Sequence, residues 1–251
     1  MTKIILHGCM GGLGTAIRNL SERDAFCKIV HGITRGGNVL PFPTSADINQ
    51  FNSQADVVVD CSVVEAIPAL LDFGVARGIP LVICTTGLPP ALMEDVHKAS
   101  EKVAILQSAN MSLGINLLVN MVARAAPLLA GAGFDVEIIE KHHNKKVDAP
   151  SGTALALANS VNEALGNTME YTYDRSQERK KREAKELGIH AIRGGTIVGE
   201  HSVIFAGSDE VIEFKHQATS KEVFAVGALK AACFIKGKAP GFYTMQDLIN
   251  N

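Results

Sequence analysis

Residues that could do chemistry are concentrated in one segment, residues 140–154, with the sequence EKHHNKKVDAPSGTA. Its two adjacent histidines, His142 and His143, offer an acid or a base near neutral pH, and Lys146 supplies positive charge. An acid beside a fixed positive charge suits a small substrate that carries carboxylates. The alternative interpretation is an exposed, solvated loop that precedes a helix.

The end of this segment has the residue types of a helix start. Ser151, Gly152 and Thr153 stand between an apolar run at 136–139 and a helical pattern that begins at Ala154. Free backbone N–H groups and the positive end of the helix dipole would then face the same space as the histidines. This arrangement would add a second source of positive potential for an anionic substrate.

The N-terminus contains a second candidate site. An apolar strand at residues 3–7 leads into Gly8, Gly11 and Gly14 and then into a helical pattern at 15–20. Binding of a dinucleotide pyrophosphate requires this order of strand, glycine-rich turn and helix, with Gly8 for the turn, Gly11 for phosphate approach and Gly14 for packing. The alternative is an ordinary glycine-rich connection, since the spacing is GxxGxxG and not the stricter GxGxxG.

The first hundred residues alternate apolar runs with helical patterns. Strands are predicted at 3–7, 27–33, 57–60, 81–84 and 103–107, and helices at 15–20, 65–77 and 91–100. The apolar runs are continuous, which is typical of strands buried on both faces of a parallel sheet. We therefore predict an α/β fold with a doubly wound parallel nucleotide-binding sheet.

The pattern changes near residue 113. Later elements are predicted as helices at 113–130, 153–165 and 223–235, a strand at 136–141, and an antiparallel meander of strands at 190–192, 196–205 and 210–216. We expect residues 1–112 to form a dinucleotide-binding domain, to which residues 222–251 return. Residues 113–221 should form an α+β substrate-binding and oligomerisation domain with a mixed or antiparallel sheet.

An exposed face of that second sheet predicts self-association. Apolar residues such as Val203 and Phe205 would lie on it and pack against a second copy. We therefore expect a homo-oligomer, specifically a tetramer.

Composition excludes several classes of protein. With 251 residues, 47% of them hydrophobic and 20% charged, the chain has the composition of a soluble globular protein. A net charge of −2 argues against a general nucleic-acid binder, and five scattered cysteines without a CxxC or Cys/His spacing predict neither disulfides nor a metal site. No signal peptide is visible, and Glu65, Asp72 and Arg77 interrupt the apolar region 63–84. We expect a cytoplasmic protein that does not enter a membrane.

One run of charge, residues 175–186, could be a patch for phosphate or nucleic acid. Its basic residues are followed by interspersed acids. This pattern favours a solvated helix instead.

Several motifs together resemble those of the dihydrodipicolinate reductases, which serve bacterial diaminopimelate and lysine synthesis. They are the GxxGxxG turn at 8–14, CTTG at 84–87, SANM at 108–111 and, above all, residues 140–154. The likeness covers nearly the whole chain, including residues 197–201 and 221–224. The segment 140–154 is highly specific, whereas the glycine turn alone would fit many families.

The resemblance implies an enzyme, an NAD(P)H-dependent oxidoreductase that reduces 4-hydroxy-tetrahydrodipicolinate, a small dicarboxylate, to tetrahydrodipicolinate. The hydride would come from the nicotinamide and the proton from His142, with Lys146 as a second donor or charge stabiliser. The implied substrate-binding residues are His143, Ser151, Gly152 and Thr153. For His143 the alternative is a core histidine that only orients the loop.

Cofactor contacts are expected in the glycine turn, after the second strand and in three later segments. They are Gly8, Cys9, Met10, Gly11, Gly12, Leu13, Thr34, Arg35, Cys84, Thr85, Thr86, Ser108, Ala109, Asn110, Met111 and Phe224. The chain departs from the family pattern at three places. Cys84 replaces a glycine, Lys221 stands where arginine is common, and the charged run 175–186 replaces a glycine-rich loop.

The end of the second strand bears on cofactor choice. An acid there would bond the 2′-hydroxyl of NAD, but Thr34 stands in its place and Arg35 follows. A hydroxyl and a guanidinium can both bind a 2′-phosphate, so we predict NADPH as the preferred cofactor, with NADH also accepted. The alternative is that Arg35 points to solvent and stacks on adenine, serving both cofactors equally.

Two other functions fit part of the sequence. Another two-domain amino-acid dehydrogenase would share the nucleotide-binding domain but would not need the segment 140–154. A regulator that senses NAD(P) without turnover could keep the glycine turn and lose the acid and the lysine, yet His142 and Lys146 are both present. The segment therefore favours the reductase.

Overall fold

The computed structural model describes residues 1–36, 39–176 and 179–251. These residues contain twelve strands and seven α-helices. In chain order they are β1 Thr2–His7, α1 Gly12–Ser21, β2 Cys27–Ile33, β3 Thr44–Ser45, β4 Val57–Asp60, α2 Ile67–Arg77, β5 Leu81–Ile83, α3 Pro90–Ser100, β6 Ala104–Gln107, α4 Leu113–Gly131, β7 Asp135–His142, α5 Gly152–Ala164, β8 Glu170–Thr172, β9 Glu186–Arg193, β10 Gly199–Ala206, β11 Val211–Ala218, α6 Glu222–Ile235, β12 Gly241–Tyr243 and α7 Met245–Ile249. Short 3₁₀ helices lie at Ile48–Gln50 and Val64–Ala66.

The chain divides into two compact units. Unit 1 contains residues 1–113 and 221–251, and unit 2 contains residues 114–220.

Unit 1 is built on a seven-stranded sheet in the order β12-β6-β5-β4-β1-β2-β3, and its strand pairs are parallel. Both faces of the sheet are covered, which explains why its strands are apolar without alternation. In β1, Ile4 and Leu6 face one core cluster with α6, whereas Ile5 faces a second cluster with α2. The predicted doubly wound nucleotide-binding sheet is therefore confirmed.

Unit 2 contains a five-stranded mixed sheet in the order β11-β10-β7-β9-β8. Strand β10 pairs antiparallel with β7 and β11, whereas β9 pairs parallel with β7 and β8. Helices α4 and α5 cover one face, where Val122 and Leu157 pack in the same core cluster as Ile138. This is the predicted α+β arrangement with a mixed sheet.

In unit 2 the predicted antiparallel pairing of β10 with β11 is confirmed, whereas the predicted pairing of β9 with β10 is wrong. Gly194 and Gly195 lie between the strands predicted at 190–192 and 196–205, but they bind the end of β7: Gly194 N donates to His142 O, and Asn144 N donates to Gly195 O. Strand β9 consequently lies on the opposite side of β7 from β10.

The apolar residues expected on the exposed sheet face lie on the other face. Val203 and Phe205 are fully buried in the core beneath α4 and α5. The open face carries Ile139 and Ile204, both partly buried, together with Lys141 and Glu200, whose charged groups lie 3.4 Å apart. Helices α4 and α5 cover the face that carries Val203 and Phe205, which is the face expected to be exposed.

The predicted helix at 175–186 is also wrong for the described part of that run; Gln177 and Glu178 lie outside the described residues. Arg182 donates from Nε to Glu137 Oε1 at 2.9 Å and from Nη1 to Asp135 Oδ1 at 2.5 Å. Both partners are on β7, so ion pairs to a distant strand hold this segment and no local helical pattern does.

Helix α4 is long and apolar enough to cross a membrane by length and composition alone. It contains Arg124 and Pro127, and it buries Leu118, Val122 and Ala126 in the core of unit 2. One face of the helix thus packs in unit 2, and 22% of its most apolar stretch is buried.

Candidate active site

The glycine turn after β1 requires glycine for steric reasons at two positions. Gly8 has φ +79°, and a Cβ there would lie 2.6 Å from the carbonyl oxygen of Cys61. A Cβ at Gly14 would lie 2.3 Å from the carbonyl oxygen of Gly8. Both contacts are with backbone, so neither position accepts a side chain without a shift of the turn.

A ligand can approach the backbone of the glycine turn most closely at Gly12. A Cβ at Gly12 would meet no atom of the described residues within 4 Å, whereas one at Gly11 would sit 3.3 Å from Gly8 O. Helix α1 begins at Gly12, and its N-cap residue Gly11 has no side chain that could cap it. The first-turn N–H groups and the positive helix end can therefore serve an anion.

Two cavities border this turn within unit 1. The Thr34 cavity, of about 470 Å³, is lined by five predicted cofactor residues, Gly8, Met10, Gly11, Thr34 and Arg35. The Phe224 cavity, of about 280 Å³, is lined by eight more, Gly12, Leu13, Cys84, Thr86, Ala109, Asn110, Met111 and Phe224. Residues from β1, β2, α1 and α6 thus come together around the carboxyl end of the parallel sheet.

Three predicted cofactor residues support the cavities without lining them. Cys9 is fully buried in the core, and Thr85 donates to Asp60 Oδ2 at 2.6 Å. The Ser108 hydroxyl donates to the Asn110 carbonyl at 2.8 Å and so shapes its loop. Their side chains are engaged within the protein.

Sequence reasoning missed Asp60, a fully buried carboxylate at the end of β4. Besides the Thr85 hydroxyl, it accepts from Ser62 Oγ at 2.5 Å, and His7 Nδ1 lies 2.9 Å from its Oδ1. An acid at the carboxyl end of an otherwise apolar strand was the available signal. Asp60 therefore links the end of β1 to the loops after β4 and β5, and residues of all three line the two cavities.

Cys84, one of the departures from the family pattern described above, is buried. Desolvation raises the pKa of this thiol well above its ordinary value, and Cys61 and Asp60 act in the same direction. Cys84 is therefore a neutral, buried side chain whose residue lines the Phe224 cavity.

In unit 2 the predicted catalytic segment is organised around Glu140, whose side chain is fully buried. Its Oε2 accepts from His142 Nδ1 at 2.6 Å and from Arg193 Nη1 at 2.7 Å. Its Oε1 accepts from Arg193 Nη2 at 2.7 Å and from the Ser151 N–H at 2.9 Å. Four donors therefore satisfy one carboxylate.

These contacts keep Glu140 ionised. Burial raises its pKa, but the hydrogen bonds from Arg193, His142 and the Ser151 N–H outweigh burial and hold the pKa below its usual range. Glu140 also raises the pKa of Arg193 by hydrogen bonding. The site thus contains a fixed anion directly against His142.

A second histidine, His201 of β10, lies beside His142 with the ring centroids 5.1 Å apart. Burial, together with the nearby His142, lowers the pKa of His201 to about 4. Its Nε2 lies 3.1 Å from Ser151 Oγ, which accepts from Ala154 N as the N-cap of α5. His201 is therefore a neutral side chain that helps to hold the helix start.

The other predicted substrate residues lie on the connection from β7 to α5. Lys146 Nζ is 2.8 Å from Asp148 Oδ1, and about a fifth of the lysine side chain is exposed. A Cβ at Gly152 would meet no described atom within 4 Å, so the first turn of α5, with Thr153, starts at an open position. His143 is half-buried, and its Nδ1 has no partner among the described residues.

Solved structures with the same architecture include several dehydrogenases. A dipicolinate-bound dihydrodipicolinate reductase from Paenisporosarcina sp. TG-14 matches with a TM-score of 0.82, at 19% identity and 97% coverage of each chain. A DAP dehydrogenase of C. glutamicum matches with a TM-score of 0.57, at 15% identity, covering 99% of this chain and 95% of that one. These likenesses show the fold: the chain has the architecture of the reductase and the dehydrogenase among these structures.

Sequence comparison is more specific. Residues 2–111 match the family model for the dihydrodipicolinate reductase N-terminus, and residues 114–249 match that for the C-terminus. A 4-hydroxy-tetrahydrodipicolinate reductase of Caldanaerobacter subterraneus subsp. tengcongensis is 49% identical, over 99% of this chain and 98% of the relative. One from Clostridium novyi is 45% identical, over 100% and 99%. The chain belongs to the dihydrodipicolinate reductase family.

Unit 1 fits a dinucleotide by its own geometry. The helix end at Gly12 is open, and both cavities border the glycine turn. In the Phe224 cavity most lining residues are small or apolar, which suits a flat ring, whereas Arg35 in the Thr34 cavity supplies a cation. Residues 8–13 would hold the pyrophosphate.

Proposed function

We infer that the chain catalyses the NAD(P)H-dependent reduction of 4-hydroxy-tetrahydrodipicolinate to tetrahydrodipicolinate, in diaminopimelate and lysine biosynthesis. The observation that carries this inference is the set of groups around the β7–α5 connection. A carboxylate-bound histidine, Lys146 and the open start of α5 lie on one short segment, in a chain whose relatives share that activity over their whole length.

The substrate carries two carboxylates, and the chain offers two kinds of positive potential to them. Lys146 supplies a charge on a partly exposed side chain. The backbone N–H groups at Gly152 and Thr153 supply the helix end, whose N-cap Ser151 is held in place by His201. His143, with an unpartnered Nδ1 among the described residues, would donate or accept at the edge of this site.

His142 would supply the proton. Its Nδ1 faces the Glu140 carboxylate, so Nε2 is the nitrogen left for proton transfer. Lys146 would stabilise negative charge or act as a second donor. A bound reduced nicotinamide supplies the hydride for the substrate ring.

For the cofactor we propose that NADPH is preferred and NADH is also used. Thr34 and Arg35 both line the cavity beyond β2, where a 2′-phosphate would be bound by a hydroxyl and a guanidinium. Asp47 lines the same cavity, and its carboxylate would accept from a 2′-hydroxyl and repel a 2′-phosphate. These opposing groups support use of both cofactors.

We also propose that the protein forms a homo-oligomer, specifically a tetramer, in the cytoplasm. The open face of the sheet in unit 2 carries Ile139, Ile192 and Ile204 among charged residues. Such a face buries apolar area when two copies pack. Light scattering after size-exclusion chromatography measures the mass directly, and a monomer would contradict the proposal.

The activity is tested by adding the freshly made product of dihydrodipicolinate synthase and following NADPH oxidation. His142→Gln should lower kcat by about 10²–10⁴-fold with little change in KM, because the proton is needed mainly in the transition state. His190→Gln is the matched control, since His190 lies on the same sheet and contacts Glu137 at 2.8 Å. Near-wild-type turnover of His142→Gln would remove His142 from the acid role, and no turnover by the wild type would refute the function.

A further inference from the structure

Glu140 has an arrangement that a purely structural acid would not need. It is fully buried, and both of its oxygen atoms are shared between Arg193 and a second donor. On Oε2 the second donor is His142 Nδ1, and on Oε1 it is the N–H of Ser151, the N-cap of α5. One carboxylate therefore contacts the proposed proton donor and the start of the proposed carboxylate-binding helix.

The contact with Glu140 determines which nitrogen of His142 carries hydrogen. An ionised carboxylate only accepts, so at 2.6 Å Nδ1 must be the protonated nitrogen. Nε2 is then the nitrogen that gains and loses the catalytic proton. Gly199 packs against that side of the ring, and a Cβ there would lie 3.1 Å from Nε2, which is closer than an ordinary contact.

Arg193 fixes the carboxylate in turn. Its guanidinium spans both oxygens of Glu140 and also donates from Nη2 to the carbonyl of Asp148 at 2.6 Å. Arg193 is the last residue of β9, whereas Asp148 lies in the connection that carries Lys146. The arginine therefore ties β7 and β9 to the loop before α5.

The charged and titratable groups around His142 come from three strands and from the β7–α5 connection, where Lys146 acts on the neighbouring His201. Glu140 of β7 and Arg193 of β9 form the ion pair, and His201 of β10 packs against the ring. The low pKa of His201, near 4, keeps it neutral above that pH, and His216 is its cross-strand neighbour with a pKa also lowered by burial. Glu140 is consequently the anion that acts on His142 over the working pH range.

We propose that Glu140 and Arg193 are a positioning pair, which holds His142 in its proton-donating tautomer and the start of α5 in its substrate-binding place. The proposal rests on the function inferred above, with His142 as the acid. It assigns a role to two residues that are 53 positions apart in the chain: Glu140 contacts the acid and the helix start, and Arg193 holds Glu140.

The test uses Glu140→Gln in the full-length protein, with Glu137→Gln as the matched control. Glu137 lies on the same strand and holds a similar pair of partners, Arg182 and His190, but its side chain is partly exposed and has none of the contacts to the segment 142–153 that Glu140 makes. Glu140→Gln should lower kcat by about 10–10²-fold, the scale found when the carboxylate that orients a metal-bound histidine is removed. Glu137→Gln should leave kcat, KM and their pH dependence unchanged.

Two readouts separate positioning from simple support of the fold. The amide that Glu140→Gln introduces can donate to His142, so ¹⁵N spectra of histidine-labelled protein should show the imidazole hydrogen moving from Nδ1 to Nε2. Loss of the anion should also move the limb of the kcat–pH profile that reports the protonated acid to lower pH. An unchanged tautomer together with an unchanged profile overturns the proposal.

Arg193→Lys keeps the proposal testable if Glu140→Gln does not fold. Lysine retains the charge but cannot span both oxygens, so kcat should fall by less than in the glutamine variant, and KM should rise as the start of α5 loosens. Wild-type kcat and KM in this variant would overturn the proposal.

Failure of the proposed function can be distinguished from failure of the positioning pair. If His142→Gln keeps full turnover, the proposed acid role fails whatever Glu140 does. If His142→Gln is impaired while Glu140→Gln keeps the wild-type tautomer and pH profile, only the positioning pair fails.

Discussion

Two glycines of the turn after β1 should respond in opposite ways to the same substitution. In Gly14→Ala the new Cβ would lie 2.3 Å from the Gly8 carbonyl oxygen and 2.9 Å from two backbone atoms of Cys9. An ordinary contact begins near 3.4 Å, so the turn must move by about 1 Å. In Gly12→Ala the Cβ meets no described atom within 4 Å.

The expected cost of Gly14→Ala is that of an overpacked core, about 1–3 kcal/mol. At about 2–4 °C per kcal/mol for a chain of this size, the midpoint of thermal unfolding should fall by about 2–12 °C. Gly12→Ala should leave the midpoint unchanged or slightly raised, because alanine is the better helix former at the first position of α1.

The effect on cofactor affinity should be largest in Gly12→Ala, the variant whose stability is unchanged. Gly12→Ala places a methyl group where the backbone is open to phosphate, so the Kd for NADPH should rise at least about tenfold, equivalent to about 1.4 kcal/mol. Calorimetry gives both the midpoint and, by titration, the Kd. Wild-type stability of Gly14→Ala together with wild-type NADPH affinity of Gly12→Ala would refute this account of the turn.

The remaining predictions concern charge. Lys146→Ala and Thr153→Val should each weaken binding of pyridine-2,6-dicarboxylate, a substrate mimic, and unchanged affinity in calorimetry would place the anion site elsewhere. Arg35→Ala should shift the ratio of kcat/KM values toward NADH, and a clear wild-type preference for NADH would contradict that expectation. Because burial lowers the pKa of His201 from 6.5 to about 4, the unfolded chain binds a proton in this range that the folded chain excludes, so stability that is complete above pH 6.5 should fall by up to about 3 kcal/mol toward pH 4. Thermal unfolding of His201→Gln should show a shallower decline, and parallel pH dependences in the two proteins would contradict it.

The elements of unit 1 could be predicted because their signals are local. Strands β2 and β4 begin and end at the predicted residues, since each is a continuous apolar run between turn residues. Helix α1 begins at Gly12 and not at Thr15, because glycines are poor helix formers in sequence and the turn geometry, not propensity, starts the helix. Strand β12 was missed because it has only three residues and exists through pairing with β6.

The residues of the candidate site differ in how well the sequence predicts them. His142, Lys146 and the α5 start share one segment, so their types and spacing predicted them together. Asp60 and Arg193 gave weaker signals, since a single acid or a single arginine is ordinary in a chain until its partner is known. The cofactor residues Cys9, Thr85 and Ser108 lie in predicted loops, but only the hydrogen bonds show that their side chains support the cavities from behind.

By itself, the sequence determined the main helices and strands of unit 1, the glycine turn and the segment with the acid and the lysine, because these depend on residue types and short-range spacing. The tertiary structure alone decided that β9 lies beside β7, which brings Arg193 to the carboxylate of Glu140. It also decided which face of the second sheet packs against α4 and α5, and so where Val203 and Phe205 are buried. Strand neighbours and ion-pair partners are set by contacts between residues far apart in the chain, and no local pattern encodes them.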